Sequence, residues 1–151
     1  KELKKALKEA FNYDNKIINE KFIKARELEV AVLKNNDDLI ISDIGEIVSC
    51  NNFYDYNAKY EKESKLEIPA NIDIELKNRI REIAKYIFNN LNLDSYARID
   101  FFLEDNNLYI NEINTIPGFT EISMYPKLIM NTGLSFSELL DKLIELALEK
   151  D

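Results

Sequence analysis

The sequence predicts an α+β domain, a largely antiparallel sheet with helices packed against it. Three observations carry that expectation. At 151 residues the chain is long enough for one ordinary domain with a real core. Residues 26–34, 96–104 and 108–114 show the period-two pattern of strands, and the last two are close enough to form a hairpin. Helical periodicity brackets them, giving the order helix, several strands, helix, hairpin, two helices, which is not the strict alternation of a parallel sheet.

The opening helix is read from Leu3, Ala6, Leu7, Ala10 and Phe11. It starts at Lys1 inside the pattern, with no N-terminal cap signal, so the chain reads as a piece of a longer protein. "KIINEKFI" (16–23) and "RELEVAVLK" (26–34) read as strands, the second alternating Leu28, Val30, Val32 against Glu29, Ala31, Leu33. "NNDD" (35–38) is a turn cluster, and 39–49 continues as one or two strands around Gly45. Residues 51–65 have no period and form a long loop, followed by a short strand at 66–70 stopped by Pro69. The longest helix covers 73–91, with a stripe at Leu76, Ile80, Ile83, Ala84, Ile87 and Leu91. After the hairpin a short helix is expected near 123–131, closed by Gly133 in the C′ role. Ser135 and Glu138 have capping-box spacing and open a last helix whose apolar positions are Leu139, Leu143, Leu146 and Ala147.

Composition narrows the chemistry. The chain is 46% hydrophobic and 32% charged, which is globular rather than disordered. Its net charge of −8, without a clustered basic face, argues against nucleic acid or an anionic membrane as partner. No apolar run approaches the roughly 20 residues of a membrane span, and no signal peptide is visible. A single cysteine, Cys50, excludes an internal disulfide, and the absence of histidine removes the commonest general base and the usual zinc ligand. Chemistry must therefore run on carboxylates, Arg, Lys, Ser and backbone groups.

The hairpin can be taken further. Pairing Asp100 with Glu112 also pairs Arg98 with Asn114 and Phe102 with Ile110, and leaves the three-residue loop Asp105-Asn106-Asn107. A two-residue loop would put Asp100 and Glu112 on opposite faces. In the expected register Arg98, Asp100, Glu112 and Asn114 converge, on strands otherwise apolar enough to be covered on both sides. Two facing carboxylates repel unless a cation lies between them. Two carboxylates plus an amide oxygen suit Mg²⁺ or Mn²⁺ rather than zinc. The residues alone leave open a plainer arrangement, a solvated sheet end with Arg98 paired to one carboxylate.

These residues lie in "ARIDFF", "YINEINTIPGFTEISMYPKL" and "GLSFSELLDKLIELAL", which together strongly resemble the C-terminal part of D-alanine–D-alanine ligases, members of the ATP-grasp group. Upstream, "EKFIKARELEVAVL" resembles that family's nucleotide-binding hinge, and "GEIV" with "FYDYNAKY" its mobile active-site loop. The resemblance runs from about residue 16 to the end. It implies an ATP-grasp C-terminal subdomain at 24–151, with 1–23 a remnant of the central subdomain and hinge. By the same resemblance the N-terminal domain and most of the central subdomain would lie outside these 151 residues.

By resemblance, Asp100, Glu112 and Asn114 would hold Mg²⁺ or Mn²⁺, two ions in the intact enzyme, and Arg98 would act on the acyl phosphate and the tetrahedral species. Glu20, Lys21 and Ile23 would border the adenine of ATP, and Glu27 would take its ribose hydroxyls. Lys59 and Tyr60 would lie on the closing loop, while Gly118, Ser123 and Met124 would receive the second D-alanine. The implied activity is ATP-dependent joining of two D-alanines through a D-alanyl phosphate, for peptidoglycan synthesis in a bacterial cytoplasm. The family is often dimeric, which implies a homodimer of the intact enzyme. The fragment by itself is expected to be inactive. Rival readings are a D-alanine–D-lactate or other carboxylate–amine ligase, and a non-catalytic ATP-grasp-like nucleotide-binding module.

Physical chemistry is consistent with these roles. A carboxylate and ATP are both anions, and divalent cations neutralise their repulsion. Guanidinium stays charged and offers several donors to an oxyanion. An acyl phosphate must be kept from water, and residues 51–65 are long enough for a lid. Taken singly, Glu20 and Glu27 also read as strand-end charges, Ser123 as a helix cap, Gly118 as a turn residue, and Lys59 and Tyr60 as ordinary surface. Tyr109, Tyr125 and the phenylalanines read as packing rather than stacking platforms.

Overall fold

The computed structural model describes residues 2–48 and 65–149. In order they form α1 (Glu2–Ala10), β1 (Arg26–Asn35), β2 (Asp38–Val48), β3 (Lys65–Glu67), α2 (Ile74–Asn90), β4 (Tyr96–Glu104), β5 (Asn107–Asn114), α3 (Met124–Met130) and α4 (Phe136–Leu148). The strands make one five-stranded sheet in the order β3-β2-β1-β4-β5, and every neighbouring pair is antiparallel. The expected α+β architecture is therefore the one found.

Each face of the sheet has its own core. Leu28, Val30 and Val32 of β1 and Ala97, Ile99, Phe101 and Leu103 of β4 pack with Ile80, Ala84, Ile87 and Phe88 of α2. Asp73 caps α2 by accepting from the Leu76 N–H at 2.8 Å. The α2 stripe turns out to close on buried Phe88, while Leu91 is the exposed C-cap. On the other face Ala31 and Leu33 meet Met124, Tyr125, Leu128 and Ile129 of α3, with Leu139 and Leu146 of α4 completing the cluster. Ala147 falls outside that stripe and is exposed. Tyr125 is fully buried, donates to the Val32 carbonyl at 3.3 Å and packs on Tyr96 and Phe119. It is a packing residue, as expected.

Gly45 makes the α3 contact possible. A Cβ there would lie 2.7 Å from Met124 Sδ and 3.1 Å from Leu128 Cδ2. Strand β2 runs unbroken through Gly45; its irregularity lies between the Val30–Ile44 and Val32–Ile41 pairs, where one extra β2 residue is inserted. The buried Ser42 hydroxyl accepts the Ala31 N–H there at 2.9 Å, so the bulge leaves that donor satisfied.

Several expectations are corrected. Residues 16–23 form no strand: they have no sheet partner, and Ile18 is 84% exposed. Alternation gives a strand only where a neighbour accepts its backbone bonds. The segment at 66–70 shortens and shifts to Lys65–Glu67, paired to the end of β2. α3 is capped at Asn131, and Gly133, at φ +105°, lies one residue beyond the C′ position. The capping box at α4 is present in both directions, Ser135 Oγ accepting from Glu138 N–H at 3.2 Å and Glu138 Oε2 accepting from Ser135 N–H at 2.7 Å.

The hairpin register is partly as expected. Arg98 pairs with Asn114 and Asp100 with Glu112, but Phe102 pairs with Tyr109, not Ile110, and Phe101 takes Ile110. The loop has two residues, not three, because Glu104 pairs with Asn107 and Asp105 adopts a left-handed φ of 52°. A bulge that inserts Asn111 restores the face of Glu112. Coverage on both sides also fails at β5, an edge strand on which Tyr109 and Ile110 are exposed, because α3 sits over β1 and β2 and α4 packs on α3.

Candidate active site

The polar residues gather on the sheet face that α3 and α4 leave uncovered beyond β1. Strand pairing lines up Gly45 of β2, Glu29 of β1, Asp100 of β4 and Glu112 of β5 in one row. The next row holds Ala31, Arg98 and Asn114. Three carboxylates thus stand side by side with one guanidinium across them.

Arg98 is the hub. Its Nε donates to Asp100 Oδ1 at 2.8 Å and its Nη2 to Asp100 Oδ2 at 2.7 Å, a bidentate pair. Glu29 Oε2 lies 3.0 Å from the same Nε, and Glu112 Oε1 is 3.8 Å from Nη2. Asn114 Nδ2 donates to Glu112 Oε1 at 2.7 Å. The arginine side chain is only 17% exposed and that of Glu29 only 6%, whereas Glu112 is 56% exposed. The set is buried at β1 and open at β5.

Electrostatics follow from this gradient. Burial pushes the Glu29 carboxyl up to about 8, with the negative charge of Asp100 adding to the effect and Arg98 opposing it. Burial works against the charge on Arg98, but the Asp100 hydrogen bonds and the charge of Glu29 outweigh it and hold the guanidinium above its ordinary range. Burial thus disfavours a charge on Glu29, and Arg98 still faces the acids at 100 and 112, a surplus of carboxylates that a further cation would balance.

Asp100, Glu112 and Asn114 supply only oxygens on one face of neighbouring strands, the donor chemistry that hard divalent ions require. Among the described residues no three acidic, cysteine or histidine side chains stand in coordinating positions as they lie. Asp100 is folded onto Arg98 and Glu112 onto Asn114, so side-chain rotation would have to free both carboxylates. The residues fit such an ion by chemistry and charge.

A second group assembles beside the row. The position of a Cβ on Gly118 would be 2.9 Å from Ser123 Oγ, and that hydroxyl accepts the Thr120 N–H at 2.9 Å. Ser123 is the N-cap of α3 without a side-chain cap bond. Met124 buries its side chain over Gly45, leaving its N–H, as the first helical residue, without an intrahelical acceptor. Since Gly45 pairs with Glu29 and Glu29 with Asp100, the start of α3 stands on the face of the polar row, two strands from Asp100.

Other predicted residues are less closely joined. Glu27 is half-buried on β1, on the same face as Glu29, opposite Phe102. Glu20 and Lys21 are exposed and Ile23 half-buried in the irregular run before β1. No hydrogen bond or ion pair between described residues links these three to the row. Lys59, Tyr60 and Cys50 lie outside the described residues. Glu29 was missed by sequence reasoning. Its signal was available: a lone acid inside "LEVAVL", six consecutive residues that are all buried.

The chain is similar to proteins of one known family. The family profile described as D-ala D-ala ligase C-terminus matches residues 1–145. A D-alanine–D-alanine ligase of Acetivibrio thermocellus is 51% identical over 152 residues, covering 99% of this chain and 40% of that protein. Among solved structures, the VanG D-Ala:D-Ser ligase of Enterococcus faecalis superimposes with a TM-score of 0.80 at 42% identity, over 96% of this chain and 43% of that one. The ATP complex of D-alanine–D-alanine ligase from Bacillus anthracis gives a TM-score of 0.79 at 33% identity, over 98% of this chain and 48% of that one. The chain thus spans less than half the length of each of these relatives.

Proposed function

The chain belongs to the D-alanine–D-alanine ligase C-terminal family, and from that premise we propose that it is the metal-binding and catalytic portion of an ATP-dependent D-alanine–D-alanine ligase. The observation that carries the reading is the Arg98–Asp100–Glu112–Asn114 set, gathered on one face of the β4–β5 hairpin inside a chain matched over residues 1–145. A fold retained without catalysis would not need one guanidinium held among three acids.

In this reading the intact protein forms a D-alanyl phosphate from D-alanine and ATP, and a second D-alanine attacks it, supplying a dipeptide for peptidoglycan. Asp100, Glu112 and Asn114 hold Mg²⁺ or Mn²⁺, two ions in the intact enzyme. The cation supplies charge neutralisation between the substrate carboxylate and the nucleotide phosphates. Arg98, whose position is fixed by buried acids, presents its remaining N–H groups to the oxyanion that develops when the amine adds. Ser123 Oγ and the Met124 N–H orient the second D-alanine, and Gly118 leaves room beside Ser123.

Glu27 serves the ribose, and Glu20, Lys21 and Ile23 the adenine, with Lys59 and Tyr60 on the segment that excludes water. Residues 1–23 belong with the central subdomain and 24–151 form the C-terminal one. The rest of the central subdomain and an N-terminal domain complete the clamp, in a homodimeric bacterial cytoplasmic enzyme. Among the described residues no helix is long and apolar enough to cross a membrane.

The test is phosphate release by the full-length protein with ATP and D-alanine, L-alanine, D-serine or D-lactate. Release with D-alanine alone, and D-alanyl-D-alanine as product, is expected. Faster turnover with added D-lactate or D-serine would move the protein to a neighbouring ligase class, and no release with any of them would favour the non-catalytic module.

A further inference from the structure

Glu29 has no part in the roles above, yet it is the most buried acid of the row. Among the described residues its enclosed Oε2 has no hydrogen-bond partner, although Arg98 Nε is only 3.0 Å away. The reason lies in the donor. Nε carries one hydrogen, and that hydrogen is directed at Asp100 Oδ1 at 2.8 Å. A buried acceptor left in this state is costly, so it calls for an explanation.

We propose that Glu29 is a positioning residue, the alternative acceptor that takes the Arg98 Nε–H when Asp100 turns away to bind a cation. Asp100 gives Arg98 one lone pair of each carboxylate oxygen, so a cation drawn between Asp100 and Glu112 competes with that bidentate pair. Without Glu29 the guanidinium would lose its anchor at the step that needs it fixed, and releasing Asp100 would leave a buried cation unpaired. With Glu29 in reach across the β1–β4 ladder, a small turn of the whole planar guanidinium exchanges one partner of the Nε–H for the other. Arg98 keeps its place, and the orphaned oxygen gains its bond. The inference rests on the reading of Asp100 as a cation ligand.

The experiment is Mn²⁺ binding to the full-length protein in the presence of ADP, followed by electron paramagnetic resonance. Glu29→Gln and Glu29→Asp are compared with wild type, alone and in an Arg98→Met background. Outer partners of metal ligands typically matter by about 10–100-fold in affinity. Glu29→Gln is expected to weaken Mn²⁺ binding by about tenfold. Glu29→Asp, which keeps the carboxyl group but falls a methylene short of Nε, is expected to weaken it similarly. In Arg98→Met protein, where Asp100 is already released, neither change is expected to matter.

Unchanged affinity in Glu29→Gln would overturn the inference. So would wild-type affinity in Glu29→Asp, or a Glu29 effect that persists without Arg98, since either would mean that Glu29 does not act by anchoring the guanidinium. If Arg98→Met does not fold, as judged by circular dichroism, the Glu29→Asp comparison decides alone. Failure of the wild-type protein to bind Mn²⁺ would instead overturn the cation site itself, and this inference with it.

Discussion

Arg98 carries one positive charge into contact with three acids, two of them buried, and this imbalance governs what substitutions there should do. Removing it with Arg98→Ala leaves Glu29 and Asp100 facing each other without a counter-charge. A loss of about 3–5 kcal/mol in the unfolding free energy of the intact protein is expected, read from urea denaturation. Asp100→Asn relieves the crowding instead, so it should retain most of the stability while lowering phosphate release on the order of 100-fold through the lost cation ligand. Equal stability losses in the two variants, or wild-type turnover in Asp100→Asn, would contradict the assignment. The acids at 100 and 112, with Arg98 and Asn114, were legible from alternation and hairpin register. Glu29 was not, because single-strand alternation cannot say that β4 will lie beside β1. That adjacency is set by the sheet order, in which β4 and β1 are far apart in sequence.

At the scale of elements, the hairpin shows how a local rule can fail and its consequence survive. The two-residue turn at Asp105-Asn106 alone would have moved Glu112 to the wrong face, and the Asn111 bulge moved it back. Turn chemistry is local, whereas the bulge is selected by the need to keep Ile113 with Ile99 and Leu108 with Leu103 against α2. The capping box of α4 was legible because both partners lie within four residues. Hydrogen bonds from Ser135 lower the Glu138 carboxyl below its ordinary range. A depressed folded-state value means that the stabilisation is present above the unfolded-state value of about 4.3 and is lost as pH falls through the folded one. Glu138→Gln should therefore destabilise the protein near neutral pH and make progressively less difference between about pH 5 and pH 3, a trend that urea midpoints at each pH will show. A cost that stays constant over that range would remove the charge from the account. The strand expected at 16–23 failed for the opposite reason: its pattern was right locally, and no strand lies beside it.

On the scale of the whole molecule, the chain spans 40% of the Acetivibrio thermocellus ligase it matches, and its candidate site has one open side, toward β5 and the exposed Glu112. A nucleotide clamp needs a second wall to exclude water from an acyl phosphate. The 151-residue chain expressed alone should therefore fold but release no phosphate from ATP with D-alanine, while the full-length protein does. Turnover by the chain alone would refute this division of labour. The amino-acid sequence by itself determined the α+β class, the extents of α2 and α4, the alternation within β4 and within β5, and the family. Each of these depends on periodicity, caps and motifs that act over a few residues. Tertiary structure decided the rest: β1 between β2 and β4, α3 seated over Gly45, β5 left uncovered, and Glu29 brought to within 3.0 Å of Arg98. Apart from the local β1–β2 hairpin, those features are set by contacts between segments far apart in sequence, such as Leu33 with Tyr96 and Gly45 with Met124, where packing and backbone pairing compete and no local pattern records which partner wins.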